Sequence, residues 1–246
     1  MPASCLKSEI LQNEKIADGI FKMVCRFPGE KLPGQFFMVR GWQGYPLLSR
    51  PISVCDADAG TVTFVYEVRG KGTEILSGLC PGEEAELTGA VGHGYPVEKI
   101  SGKVALVSGG VGLPPLLYTA KSLAGCEIEL FCGFREKSYL TEEFLPYVKA
   151  VHVATDSGAE GHKGFVTDLL RAGDYDFVLT CGPEIMMKKV AAACREAGVT
   201  CYVSMERHMA CGIGACLGCT CQTSGGAKCI CKEGPVFLSE EVMGDA

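Results

Sequence analysis

The hydrophobic pattern of the chain changes rhythm twice. Through residues 8–97 it runs in short apolar or alternating segments separated by turn residues: 35–40 after Pro33-Gly34, 47–55, 61–68, and 84–87 after Pro81-Gly82. Short strands punctuated in this way predict a small antiparallel barrel. From Lys103 onward, buried-strand runs alternate with helical periods. Strands are predicted at 104–108, 127–133, 151–155, 177–180 and 199–204, with helices after Gly112 to about 124, at 165–171 and at 184–197. Such alternation predicts a doubly wound parallel sheet. The remainder, 205–246, is rich in Cys and Gly with almost no helix or strand period, which predicts a small metal-stapled appendage. The expected fold class is β-barrel plus α/β, with a barrel over 1–99, a parallel-sheet domain over 100–205 and a cysteine domain over 206–246.

Composition narrows the possibilities. With 47% hydrophobic residues in 246, the chain has material for more than one core, and its net charge of −6 would repel a nucleic-acid backbone. No basic stretch precedes an apolar run in the first twelve residues, so no secretory signal is expected. The longest charge-free apolar run, 104–120, contains Gly109-Gly110, Gly112 and Pro114-Pro115 and falls short of a membrane span. A cytoplasmic protein without membrane contact is the expectation.

The cysteines change the picture most. Nine of the fifteen are scattered through the first 201 residues in apolar settings, where Cys behaves as a small hydrophobe, and six fall between Cys211 and Cys231. Cys211, Cys216 and Cys219 have C-x4-C-x2-C spacing, that of plant-type [2Fe–2S] proteins. Such iron prefers thiolate sulfur, and Gly212, Gly214 and Gly218 let the loop turn tightly around it. Zinc ribbons instead carry two C-x2-C knuckles, and only Cys216/Cys219 has that spacing. For the fourth ligand, spacing leaves Cys221, Cys229 and Cys231 open.

Two further constellations suit nucleotides. Arg50-Pro51-Ile52-Ser53 ends a strand-like run, where an Arg can neutralise a diphosphate and a Ser can reach a flavin ring. Val65-Tyr66-Glu67 ends the next strand, followed by Gly70-Lys71-Gly72-Thr73 at a helix start, where free amides suit a pyrophosphate. Alone, Tyr66 reads equally as a barrel aromatic and Lys71 as a solvated turn residue. In the second domain, Gly109-Gly110-Val111-Gly112 follows the first parallel strand, at the usual pyrophosphate position of open α/β sheets. Pro115 stands where the dinucleotide fingerprint needs its third glycine, so that fingerprint is incomplete. Cys181-Gly182-Pro183 ends the fourth strand; Cys181 suits either a place near a nicotinamide or a buried thiol.

A barrel with Arg-Pro-x-Ser and a sheet with Gly-Gly-x-Gly and Cys-Gly-Pro, in that order, resemble the ferredoxin–NADP reductase superfamily. The tail, Cys211 to Cys219 with Cys231-Lys-Glu-Gly-Pro-Val-Phe237, closely resembles the electron-transfer subunits of dihydroorotate dehydrogenase B. The resemblance covers essentially the whole chain. It implies Cys231 as the fourth cluster ligand, leaving Cys221 and Cys229 as bystanders. It places FAD contacts at Arg50, Pro51, Ile52, Ser53, Val65, Tyr66, Glu67, Gly72 and Thr73, and gives His93 no role. Gly109, Gly110, Gly112, Cys181, Gly182 and Pro183 then face NAD, although Arg135 and Lys137 leave NADP open on sequence alone. It also implies an FMN-containing catalytic partner, as a heterotetramer of two of each chain, and electron flow from dihydroorotate through the cluster and FAD to NAD in pyrimidine biosynthesis. The rival readings are the small subunit of an NADH-dependent reduced ferredoxin:NADP oxidoreductase, where an Asp tends to join the cluster ligands, and a redox-responsive regulatory protein without turnover.

Overall fold

The computed structural model describes residues 4–243. Six strands close the first domain into a barrel: β1 (Ser4–Ala17), β2 (Ile20–Arg26), β3 (Phe36–Arg40), β4 (Arg50–Ala57), β5 (Thr61–Glu67) and, after helix α1 (Lys71–Ser77), β6 (Glu84–Val91). Their order around the barrel is β1-β2-β5-β4-β3-β6. Strand alternation sends Phe37, Val39, Ile52, Val54, Val62, Phe64 and Tyr66 into the interior, where Phe27, Phe37 and Phe64 pack edge-to-face. The other face of the same strands carries Phe36, Met38 and Val65, which are buried instead against the rest of the molecule.

The second domain contains β7 (Lys103–Gly109), α2 (Pro114–Ser122), β8 (Glu127–Phe134), β9 (Ala150–Thr155), β10 (His162–Lys163), β11 (Phe177–Cys181), α3 (Glu184–Ala197) and β12 (Thr200–Ser204). These strands are parallel in the order β10-β9-β8-β7-β11-β12, so the winding reverses between β7 and β11. Helix α3 forms where its period predicted. It buries Met186, Met187, Val190, Ala191 and Cys194, and Gly198 ends it at φ +69°.

The helix expected at 165–171 does not form as an α-helix; short 3₁₀ turns cover Val166–Asp168 and Ala172–Asp174. There the Asp168 carboxylate takes the Phe165 N–H at 2.9 Å, closing a single turn.

The tail is more ordered than its pattern suggested. A hairpin of β13 (Thr220–Thr223) and β14 (Gly226–Cys229) leads to α4 (Ile230–Glu233), β15 (Val236–Leu238) and α5 (Ser239–Val242). Elements of three or four residues are too short to show a period. Strand β15 pairs antiparallel with β12 and becomes the seventh strand of the large sheet. The His93 N–H also donates to the Gly234 carbonyl at 2.5 Å, fastening the tail to the end of the barrel. Barrel and sheet meet through Lys22–Glu143 at 2.9 Å, the Lys121–Asp56 pair, and the Tyr118 hydroxyl donating to Lys31 O at 3.1 Å. Among the described residues, no helix is long and apolar enough to cross a membrane.

Candidate functional site

The cysteine loop gathers four of its six sulfurs into two pairs. Cys219 and Cys231 lie 3.3 Å apart, sulfur to sulfur, and the Cys216 side chain lies close enough to Cys211 to lower its pKa. Backbone amides aim at these sulfurs: Ile213 and Cys216 N–H toward Cys211 at 3.5 and 3.4 Å, Gly214 N–H toward Cys231 at 3.1 Å, and Gly218 N–H toward Cys216 at 3.5 Å. Burial raises the Cys211 thiol, but the amides of Ile213, Cys216 and Ala215, with the Cys216 side chain, outweigh it and lower the pKa to about 6. Cys211 is thereby biased toward its thiolate form. Cys231 is pushed up to about 12, by burial first and then by Cys219, so its proton must leave when iron binds.

No three described His, Cys, Asp or Glu side chains converge around a single point. Two separate thiol pairs suit two irons better than one zinc ion. The remaining cysteines differ. Cys229 sits 3.5 Å from Thr220 Oγ1 and opposite Thr220 in the hairpin, and Cys221 lies opposite Lys228. The geometry thus pairs Cys219 with Cys231, sets Cys216 beside Cys211, and leaves Cys221 and Cys229 outside both pairs.

At the barrel, the guanidinium of Arg50 and the backbone of Gly72 touch: a Cβ on Gly72 would lie 2.5 Å from Arg50 Nε and 2.6 Å from Cζ. Strand β4 and the start of α1 thereby form one cationic cradle, in which a side chain at position 72 would displace the Arg50 guanidinium. Thr73 Oγ1 accepts from the Arg69 and Gly70 N–H groups at 3.0 and 3.2 Å, so its hydroxyl shapes the turn. Pro51 is exposed and Ser53 half-buried, whereas Ile52 points into the barrel. Tyr66 also points inward, its hydroxyl donating to Asn13 Oδ1 at 3.2 Å, and burial holds the phenol protonated. Ile52 and Tyr66 therefore offer a ligand on the outer face their backbone only. Val65 faces the sheet domain, and Glu67 pairs with Arg69 at 2.5 Å.

The sequence reading missed the brace around this cradle. Arg40 donates to the carbonyls of Trp42, Leu47 and Gly44 at 2.9, 2.8 and 2.9 Å, folding the loop before β4. Trp42 lies under Arg50, with its ring centroid 5.4 Å from the guanidinium carbon. The available signal was the sole Trp of the chain, eight residues before Arg50.

The structure brings the two glycine-containing loops of the sheet together at the switch point. A Cβ on Gly112 would collide with the Cys181 carbonyl and lie 2.7 Å from Gly182 Cα; one on Gly109 would lie 2.8 Å from Pro183 Cδ. Beneath these loops the Ser108 and Thr180 hydroxyls are fully buried and have no partner among the described residues. Buried polar atoms under a backbone cleft at a switch point suit a dinucleotide. Burial pushes the Cys181 thiol up to about 12, opposed by a hydrogen bond with Ser204, so it is neutral at physiological pH.

A closed barrel carrying an Arg–Gly cradle, joined to a doubly wound sheet and a four-thiol loop, defines a flavoprotein reductase of the ferredoxin–NADP reductase type with an added iron–sulfur domain. Residues 206–243 match the iron–sulfur cluster binding domain of dihydroorotate dehydrogenase B. The dihydroorotate dehydrogenase B (NAD(+)) electron transfer subunit of Clostridium acetobutylicum is 49% identical over 235 residues, spanning 96% of each chain. That of Clostridium perfringens is 44% identical over 246 residues, covering 98% of this chain and 99% of the relative. The chain belongs to the family of dihydroorotate dehydrogenase B electron transfer subunits.

Among solved structures, an NADH-dependent reduced ferredoxin-NADP oxidoreductase superposes with a TM-score of 0.84 at 35% identity, covering 96% of this chain and 89% of that one. A ferredoxin NADP+ reductase from Neisseria gonorrhoeae, with TM-score 0.63, 15% identity and 84% and 95% coverage, shares the fold.

Proposed function

We propose that the chain passes electrons from an FMN-containing dihydroorotate dehydrogenase catalytic subunit, through a [2Fe–2S] cluster and FAD, to NAD+ in pyrimidine biosynthesis. The observation that carries this reading is the paired-thiol loop held against the flavin barrel. The relatives' name supplies the reaction to which it belongs. When bound, the cluster handles single electrons and the flavin converts between single electrons and a hydride.

The chain's own residues bind, orient and exclude water. Cys211, Cys216, Cys219 and Cys231 hold the cluster, and Gly212 and Gly214 let amides reach the sulfurs. Arg50 and the first-turn amides at Gly72 and Thr73 hold the FAD diphosphate, with Pro51, Ser53, Val65 and the backbones of Ile52, Tyr66 and Glu67 along the ring. Gly109, Gly110 and Gly112 admit NAD, and Cys181, Gly182 and Pro183 border the nicotinamide. Units of 1–99, 100–205 and 206–246 carry these three tasks, in a cytoplasmic heterotetramer of two of each subunit. Cys216, Ile213 and Leu217 are exposed on the cluster loop, which supports docking of the catalytic subunit there.

The test uses the anaerobically purified holoprotein. Alone, it reduces artificial acceptors with NADH and leaves dihydroorotate untouched; with the FMN subunit added, dihydroorotate oxidation becomes NAD-dependent. Turnover of dihydroorotate by the isolated chain, or failure of the FMN subunit to bind and couple, refutes the relay.

A further inference from the structure

Strand β3 adjoins both the proposed flavin-binding strand and the cysteine loop. On its outward face, Phe36 is paired with Ser53 and Met38 with Pro51 across the β3–β4 ladder, so both adjoin the proposed flavin-binding segment. Directly opposed residues in an antiparallel ladder bring their side chains to about 5 Å. The same two side chains, 3% and 2% exposed, belong to the apolar cluster that contains Cys219 and Cys231. Met38 also meets the cysteine loop directly. Gly212, at φ +69°, passes so close that an added Cβ would strike Met38 Cγ and lie 2.8 Å from its Sδ. Gly212 is the residue after Cys211. A single thioether therefore fills the space between a cluster-ligand loop and the strand opposite Pro51.

We propose that Met38 is the positioning residue that couples the cluster to the flavin, fixing their separation and filling the gap that electrons cross. The proposal rests on the relay reading above. Methionine suits the place: it is long enough to span from β3 to the loop, flexible enough to fill an irregular gap, and polarizable at sulfur. In the transfer itself the reduced flavin loses one electron and the oxidised cluster gains one, and Met38 forms no bond to either. Electron transfer weakens exponentially with the empty distance crossed, so a cavity at this position slows it without altering the driving force. Position 212 is constrained by the same contact and by its φ of +69°, because a Cβ there would meet the Met38 side chain and force it or the loop to shift.

The experiment is anaerobic stopped-flow reduction of the holoprotein by NADH, following flavin bleaching and cluster bleaching separately. Met38→Leu, which keeps the volume, should leave both phases as in wild type. Met38→Ala should leave flavin bleaching unchanged and slow cluster reduction about ten- to hundredfold, the scale on which small positional errors act in positioned reactions. Iron content, the electron paramagnetic resonance signal of the reduced cluster and its midpoint potential should stay as in wild type. A residue that merely stabilised the fold would lower cofactor content and leave the transfer rate of the loaded fraction intact. If Met38→Ala loses the cluster, Met38→Val, which keeps more of the packing, is measured in its place with the same expected slowing. Cluster reduction at the wild-type rate in the loaded variant overturns the Met38 proposal alone. A wild-type cluster that NADH never reduces overturns the relay reading instead.

Discussion

Replacing Arg50 with Ala tests the flavin cradle at its most constrained point. The guanidinium is held by the Leu48 carbonyl at 2.5 Å, by the Trp42 ring at 5.4 Å and by contact with the Gly72 backbone. It is thus pre-oriented, and little of its binding contribution is lost in ordering it. A hydrogen bond to a charged partner contributes about 1.5–3 kcal/mol, which is about ten- to hundredfold in affinity. FAD should therefore bind Arg50→Ala about ten- to hundredfold more weakly than wild type. Gly72→Ala should act through the same group, because its Cβ would meet Arg50 Nε at 2.5 Å and turn the guanidinium aside.

Trp42, the only Trp of the chain, lies beside Arg50, so quenching of its fluorescence can follow FAD titrated into deflavinated protein. Cluster absorbance serves as the internal control and should not change. Wild-type FAD affinity in Arg50→Ala would remove Arg50 from the site. Weakened binding in Arg50→Ala but not in Gly72→Ala would show that the guanidinium adapts, and that the predicted crowding at Gly72 is relieved cheaply.

Other outcomes follow from other parts of the structure. Cys231→Ala should abolish the cluster, read as loss of iron and visible absorbance, whereas Cys229→Ala should keep a spectrum close to wild type; the reverse result would move the ligand to Cys229 and the pairing with Cys219 with it. Burial holds the Cys25 thiol at about 12, and burial with Glu160 does the same for Cys132, against 9.0 for a free thiol, so these groups stay protonated in the fold while the unfolded chain ionises. The folded state then binds more protons above pH 9.0, and stability should fall as pH rises from 9.0 toward 12, by about 1.4 kcal/mol per pH unit for each such thiol. Urea midpoints across that range check this, and Cys25→Val should flatten the slope; an unchanged slope would mean that Cys25 is not the titrating group.

The barrel and parallel sheet were legible because their segments are long enough to show a period, and α3 forms over the predicted residues. The cysteine spacing carried Cys211, Cys216 and Cys219. The proposed fourth ligand, Cys231, came from resemblance, and its 3.3 Å approach to Cys219 is a three-dimensional fact that spacing does not encode. Periodicity failed at 165–171, where the apolar residues cover a turn, and in the tail, whose strands are too short to be read. Nor could a motif reveal the inward orientation of Ile52 and Tyr66, which depends on strand register in the closed barrel. Arg40 braces the loop through backbone carbonyls, which leave no sequence signature, and only the sole Trp, whose ring lies under Arg50, offered a signal there.

The change in composition at residue 205 also conceals how the three parts are joined. Strand β15 inserts alternate side chains into both cores of the sheet: Val236 joins the core that contains Tyr95, Leu106 and Leu113, and Phe237 the core that contains Val107, Val203 and Cys231. Its neighbour Pro235 accepts the Met205 N–H at 2.8 Å and forms a β-bridge with His93 of the barrel. Of the ion pairs between barrel and sheet, the solvent-facing Lys22–Glu143 pair adds only about 0–1 kcal/mol to such a junction, and the Lys121–Asp56 pair is half-buried. The shared strand and buried side chains contribute far more, because removing them would uncover the edge of β12 and leave cavities on both faces. An electron relay benefits from this construction. A cluster domain on a flexible tether would sample many distances from the flavin, whereas one that completes the sheet and rests on β3 has one. The same residues that give the tail its fold, Gly212 against Met38 and Val236 and Phe237 in the sheet, therefore also set the distance on which its proposed function depends.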